Sequence, residues 1–272
     1  MRKSKEDHLE MNRAAWDACH VGWFDATTDK QKFYKQYLDG LHDFDADELE
    51  MLGDVKDLDV LMLSCAGDAS QVFSLAVLGA NIWGCDFSET AIGLARENAN
   101  KVDLEATFFV DDSQRLSTVD NNTFDLVFAD YNFWMYEDVP TACKNWCRVL
   151  RLGGRLVLRE MHPLSAWTLD TEDGKVWTVQ RVYDDRTPEY SECEDSGPFS
   201  HGDPNLTTVE FPHTMADFVN AVIDSGLTVE RILERTGEDV RGSAEAFCHL
   251  ISSSRRESLD ERTVLRRTAL LG

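Results

Sequence analysis

The sequence predicts a doubly wound α/β fold, a mostly parallel sheet covered by helices on both faces. Three observations carry that expectation. Short apolar runs such as Val60–Leu63 and Phe124–Ala129 recur and end in acidic or small residues, the pattern of strands buried on both faces. Between them lie segments with apolar residues at helical spacing. One stretch, Asp59 to Phe87, holds a complete unit of strand, turn, helix and strand.

In that stretch Val60 to Leu63 is the first strand, and Ser64-Cys65-Ala66-Gly67-Asp68 is a turn of small residues. Gln71 to Leu78 sets Val72, Leu75, Ala76 and Gly79 on one helical face, with Gly79 as the C-terminal stop. Asn81 to Cys85 is the second strand, and Asp86 stands at its carboxyl end. Two parallel strands joined by a right-handed crossover leave a crevice beyond their carboxyl ends. Small residues let a ligand approach the backbone there, and the helix start supplies free N–H groups. An acid at the position of Asp86 can accept hydrogen bonds from the vicinal hydroxyls of a ribose. A dinucleotide site wants G-x-G-x-x-G; here only Gly67 remains, with Ser64 and Ala66 where glycines would fit. The turn is close-packed and not built for a pyrophosphate, which counts against NAD and FAD.

Taken in order, residues 1–50 form an amphipathic helical cap carrying Trp16, Phe33, Tyr34 and Tyr37, which cover a sheet edge or, at Trp16 or Tyr34, close a ligand pocket. Asp43 to Asp57 is an acidic connector. Ser88 caps a helix bearing Ala91, Leu94, Ala95 and Ala99. Thr107 to Val110 is the third strand, ended by Asp111-Asp112-Ser113, and Asp120-Asn121-Asn122 is a turn. Phe124 to Ala129 is the fourth, followed by Asp130-Tyr131-Asn132. A helix from Tyr136 to Leu150 leads through a Gly153-Gly154 turn into the fifth strand, Arg155 to Arg159, with Glu160-Met161-His162-Pro163 at its end. Arg155 and Arg159 are expected to pair with nearby acids. Residues 164–213 break the rhythm and read as an inserted lid with short strands around Val176 to Val182. Thr214 to Ser225 is a helix, Thr228–Leu233 and Ala246–Ser252 are strands, and 255–272 is a charged tail. The main domain is therefore 51–254, with the lid inside it.

The 272 residues are 43% hydrophobic, enough for one large domain, and no apolar run is long enough to cross a bilayer. A net charge of −23 repels nucleic acid and anionic membranes, so neither is an expected partner. The acids are spread along the whole chain, as in a protein that works in high salt or in an acidic protein of ordinary habitat. The seven cysteines are scattered and mostly in apolar segments, which suits reduced, buried thiols and a cytoplasmic location. Cys143-x-x-x-Cys147 belongs to a helix core rather than to a metal site.

With the strands placed, the order of parts resembles the class I S-adenosylmethionine-dependent methyltransferases over roughly Asp57 to Ser252. Val60 to Gly67 resembles the first family motif, with Met62 where an acid usually stands. Val110-Asp111-Asp112-Ser113, Phe124-Asp125-Leu126-Val127 and Arg148 to Gly154 resemble later motifs. Asn12-Arg13-x-x-Trp16 and Met161-His162-Pro163 look like a small-molecule branch. The resemblance implies a Rossmann-like, seven-stranded sheet whose last strand is antiparallel, and S-adenosylmethionine as cofactor. It implies cofactor contacts from Trp16, Ser64, Cys65, Ala66, Gly67, Asp86, Phe87, Asp112, Ser113, Asp130 and Tyr131, with Asp86 on the ribose and Asp112 on the adenine amino group. It implies in-line methyl transfer to a small-molecule acceptor. A base is needed only if the acceptor must lose a proton. His162 is the expected catalytic residue, with Glu160, Asp130 and Tyr131 near the crevice and His213 reaching in from the lid. The alternatives are a non-catalytic cofactor-binding protein and an NAD-dependent oxidoreductase.

Overall fold

A computed structural model describes residues 4–163, 168–170, 177–179, 182–193, 197–236 and 247–255. The chain opens with α1 (Lys5–Thr27), α2 (Lys30–Leu38) and α3 (Ala46–Leu52). There follow β1 (Asp59–Leu63), α4 (Ser70–Val77), β2 (Asn81–Asp86), α5 (Glu89–Val102), β3 (Thr107–Val110) and β4 (Phe124–Asp130). A single 3₁₀ turn at Phe133–Met135 precedes α6 (Val139–Val149) and β5 (Leu150–Met161). The insert contributes β6 (Thr168–Asp170), β7 (Trp177–Val179), β8 (Glu189–Glu192) and β9 (Thr207–Glu210), and α7 (Met215–Asp224), β10 (Leu227–Thr236) and β11 (Phe247–Arg255) close the chain.

The main sheet has seven strands in the order β10-β11-β5-β4-β1-β2-β3. β1 runs parallel to β2 and β4, β2 to β3, and β4 to β5, while β11 is antiparallel to both of its neighbours. This is the expected mostly parallel, doubly wound sheet with its last strand reversed. Strand order turns back between β1 and β4, so a crevice opens at their carboxyl ends. β1 shows why its run is continuously apolar. Leu61 and Leu63 pack with Trp146, Phe133 and Phe218 on one face, and Val60 and Met62 pack with Phe73, Tyr37 and Ile92 on the other. Cys143 and Cys147 lie in the first of these clusters, as the core reading expected.

Several boundaries differ from expectation for identifiable reasons. The acidic connector contains α3, because Asp45 and Glu48 form a reciprocal capping box instead of a solvated loop. The helix expected from Tyr136 starts at Val139, where Asp138 caps the amide of Thr141 at 3.1 Å and Tyr136 is left to the core. The Gly153-Gly154 turn is an irregularity within a continuous strand: Gly153 has φ +80, and the β4–β5 register shifts between Phe124 and Leu126. The last strand runs through Arg255, whose guanidinium donates to Asn122 Oδ1 at 2.8 Å and to the Leu150 carbonyl, so the expected tail loses its first residue to the sheet. The rest of that tail, 256–272, lies outside the described residues. Arg159 pairs with Asp130 and Glu48, as expected, but Arg155 donates to the carbonyls of Met51 and Leu52 at the end of α3 rather than to acids.

Candidate functional site

A cavity of about 440 Å³ opens at the carboxyl edge of β1, β2 and β4 and is roofed by α1. Its size lies within the range of small-ligand pockets. Ser64, Cys65, Ala66, Asp86, Phe87, Asp112, Ser113, Asp130, Tyr131 and Trp16 all line it, so ten of the eleven residues expected at a cofactor meet there. Gly67 is one residue removed: its carbonyl accepts from Asn98 Nδ2 at 3.1 Å, holding the turn against α5.

The turn after β1 keeps a glycine path without the glycines. Ser64, Ala66 and Ala69 have φ of 45, 55 and 53, in the left-handed region that costs an L-residue roughly 1–2 kcal/mol each. Ser64 is held there by its neighbours: its Oγ lies 3.0 Å from Ser113 Oγ and 3.1 Å from Tyr136 Oη. Trp146 Nε1 donates to the Ser113 carbonyl at 2.7 Å, tying this network to the core. With Ala69 as its N-cap, α4 has no side chain covering its first amides, and Ser70 and Gln71 line the cavity.

Four carboxylates face the cavity. Asp86 is buried and accepts from the amides of Ser88 at 2.9 Å and Ala66 at 3.0 Å, one on each oxygen. Each oxygen keeps a lone pair, enough for a diol. Burial pushes this carboxyl up to about 6, against the pull of those two amides. Asp112 receives the Gln114 amide at 2.9 Å on Oδ1, while its Oδ2 is buried with no hydrogen bond; Arg115 Nε, 3.4 Å away, is close enough only for an ion pair. That oxygen is an acceptor in want of an N–H donor. Burial raises Asp130 and the guanidinium of Arg159 draws it back down. Asp68, in the turn, is pushed up to about 6 by burial.

The aromatic roof comes from the cap and the β4 loop. Trp16 stacks on His20 with ring centres 5.0 Å apart and donates to Met135 Sδ at 2.9 Å. Burial takes His20 down to about 4, so its ring is neutral at neutral pH. His20, Trp23, Asp68 and Trp134 were not singled out for the site from the sequence, yet all line the cavity. Tyr34 does not; it donates to Asn98 at 2.8 Å. His162 also stands apart, in a neighbouring cavity with Pro163, Glu210 and His213, where its Nε2 lies 2.8 Å from Glu234 Oε1. Trp134 and Met161 line both cavities and form the partition between them. His213 faces the Tyr136 carbonyl at 2.8 Å, and burial lowers its proton affinity. Glu160 lies under the β4 loop, accepting the Phe133 amide at 3.0 Å and the Asn132 amide. Among the described residues no group of three or more His, Cys, Asp or Glu is placed to hold a metal ion, and no described helix is long and apolar enough to cross a membrane.

Residues 61–158 match the family model described as a methyltransferase domain. A demethylmenaquinone methyltransferase of Thermus thermophilus is 32% identical over 117 residues, which is 43% of this chain and 50% of that enzyme. The match thus spans about half the length of this curated relative. Among solved structures, an S-adenosylmethionine-dependent methyltransferase from Mesorhizobium loti superposes with a TM-score of 0.61 at 23% identity, covering 76% of this chain and 94% of that one. A chain from the complex between the Haloferax volcanii Trm112 methyltransferase activator and a methyltransferase gives 0.55 at 15% identity, over 94% of this chain and 99% of that one. At these identities the two structural likenesses are likenesses of fold.

Proposed function

We propose that the chain is a class I S-adenosylmethionine-dependent methyltransferase, a reading supported by its match to a methyltransferase domain over residues 61–158, and that it transfers the cofactor's methyl group to a small organic acceptor held under the cap. One observation carries the reading. Asp86 and the orphaned Oδ2 of Asp112 line a single cavity at the switch point of the sheet, and both are acceptors of the kind a ribose diol and an adenine amino group require. When bound, the sulfonium supplies an electrophilic methyl group; the chain's own work is to bind, align and exclude water. Asp86 grips the sugar, Asp112 the base, and Trp16 with Phe87 encloses them. The acceptor enters beside Trp134 and Tyr131, where aromatic walls suit an organic ring or chain rather than a nucleic acid backbone, which the net charge of −23 would repel. The demethylmenaquinone enzyme's name points to a small acceptor for that relative, which supports the same class here. If the acceptor must lose a proton, His162, steadied by Glu234, takes it for an acceptor reaching past Trp134 into the second cavity.

Calorimetric titration tests the cofactor assignment. S-adenosylhomocysteine should bind and NAD should not. Asp86→Ala should weaken S-adenosylhomocysteine by roughly 1.5–3 kcal/mol for each charged hydrogen bond removed, with the fold intact by circular dichroism. Unchanged affinity would remove Asp86 from the site, and binding of NAD alone would replace the reading. A mass-spectrometric screen of metabolites for the gain of one methylene then identifies the acceptor.

A further inference from the structure

The four cavity carboxylates follow the order of the strands that carry them. Asp112 follows β3, Asp86 ends β2, Asp68 follows β1 and Asp130 ends β4, and those strands are neighbours in that sequence. A nucleoside held by Asp112 and Asp86 occupies the β3–β2 half of the cavity. Whatever extends from its ribose therefore lies over β1 and β4, beside Asp68 and Asp130.

Those two acids are not equivalent. Asp130 is ion-paired with Arg159, which is shared with Glu48. Asp68 sits in its turn near Ser70 and the Ala69 amide, which partly offset its burial, and among the described residues no Lys or Arg forms an ion pair with it. None of the described residues lining the cavity is Lys or Arg, and His20 is neutral. The β1–β4 half thus carries an uncompensated negative charge in a site of low polarisability, where a carboxylate without a counter-charge is costly. A cationic ligand group would remove that cost.

We propose that Asp68 is the counter-ion for the positively charged amino-acid end of the cofactor, its ammonium or its sulfonium, and so a specificity-determining residue of the site. The proposal rests on the methyltransferase reading above. It explains a departure in the turn: in place of another small residue the chain puts a carboxylate beside Gly67, facing the space where the cation would lie.

Three ligands separate the possibilities: S-adenosylmethionine with both cations, S-adenosylhomocysteine with the ammonium only, and methylthioadenosine with neither. Binding of each to the wild type and to Asp68→Asn is measured by calorimetry. Methylthioadenosine should bind both proteins equally, which also reports that the variant is folded. S-adenosylmethionine should weaken roughly tenfold or more in the variant. A parallel loss for S-adenosylhomocysteine assigns the pair to the ammonium, and its absence assigns it to the sulfonium. Asp68→Glu, which keeps the carboxylate, should recover part of the loss. Unchanged S-adenosylmethionine affinity overturns the proposal, as does an equal loss for all three ligands, which would make Asp68 a structural part of the turn. A wild type that binds none of the three would instead overturn the cofactor reading, and the proposal with it.

Discussion

Glu160 is 2% exposed, and burial pushes its carboxyl up to about 8 even though it accepts the amides of Asn132 and Phe133. An unfolded chain ionises glutamate near ~4.3. Between those values the folded state holds a proton that the unfolded state has lost, so stability is full below the lower value and declines as pH rises through the upper one. Glu160→Gln keeps Oε1 as the acceptor for both amides and removes the ionisation. Thermal melts from about pH 5 to about pH 9 should show the wild type losing ground steadily to the variant, with the two closest at the acid end; a constant gap would mean that Glu160 does not titrate in the folded protein. Asp86 and Asp112, which line one cavity, were legible in the sequence because strand and turn lengths fix where they fall. Asp68 was read only as part of a small turn, and His20 only as part of an amphipathic helix. Their significance comes from which walls they share, and that depends on how the cap folds over the sheet.

The cap and the insert are joined by a contact that no local pattern announces. Asn12 on α1 donates through Nδ2 to the Val209 carbonyl at 2.9 Å and accepts the Val209 amide at 2.8 Å, so a side chain completes the edge of β9 as a strand would. Phe199, from a 3₁₀ turn of the insert at Gly197–His201, meets Trp16 edge-on at 4.7 Å between ring centres. The helix that roofs the cavity is therefore tied to residues almost 200 positions away. Asn12→Ala leaves two buried backbone groups without partners, at roughly 1–3 kcal/mol each. Hydrogen exchange should quicken at 207–210 in that variant while β1 to β5 keep their protection; unaltered exchange there would show that β9 stands without the cap. Sequence periodicity located the helices and the parallel strands, whose pairing is set by burial on both faces. It could not show that the insert is stitched to the cap, because that contact uses one asparagine and no repeating pattern. The capping box of α3 was in plain view as Asp45 and Glu48, but the surrounding acids made the segment read as solvated.

At the scale of the molecule, charge and topology dominate. With 50 acidic and 27 basic side chains, acids outnumber bases by almost two to one, and self-repulsion should weaken the folded state in dilute buffer. Molar KCl shortens the screening length to about 3 Å, so the melting temperature should rise steeply from low to molar salt; a flat profile would show that the surface charge bears little on stability. The strand order carries a different consequence, one of manufacture. β11 lies between β5 and β10, antiparallel to each, although it is the last of the described strands along the chain. A ribosome completes β5 at Met161 and delivers its outer neighbour only with Phe247–Arg255. At about 10 residues per second, the nascent sheet spends on the order of ten seconds with a central strand exposed as an edge. The interior of this sheet is thus finished from outside, by its newest residues, and until they arrive the growing chain offers any neighbouring strand the place reserved for its own.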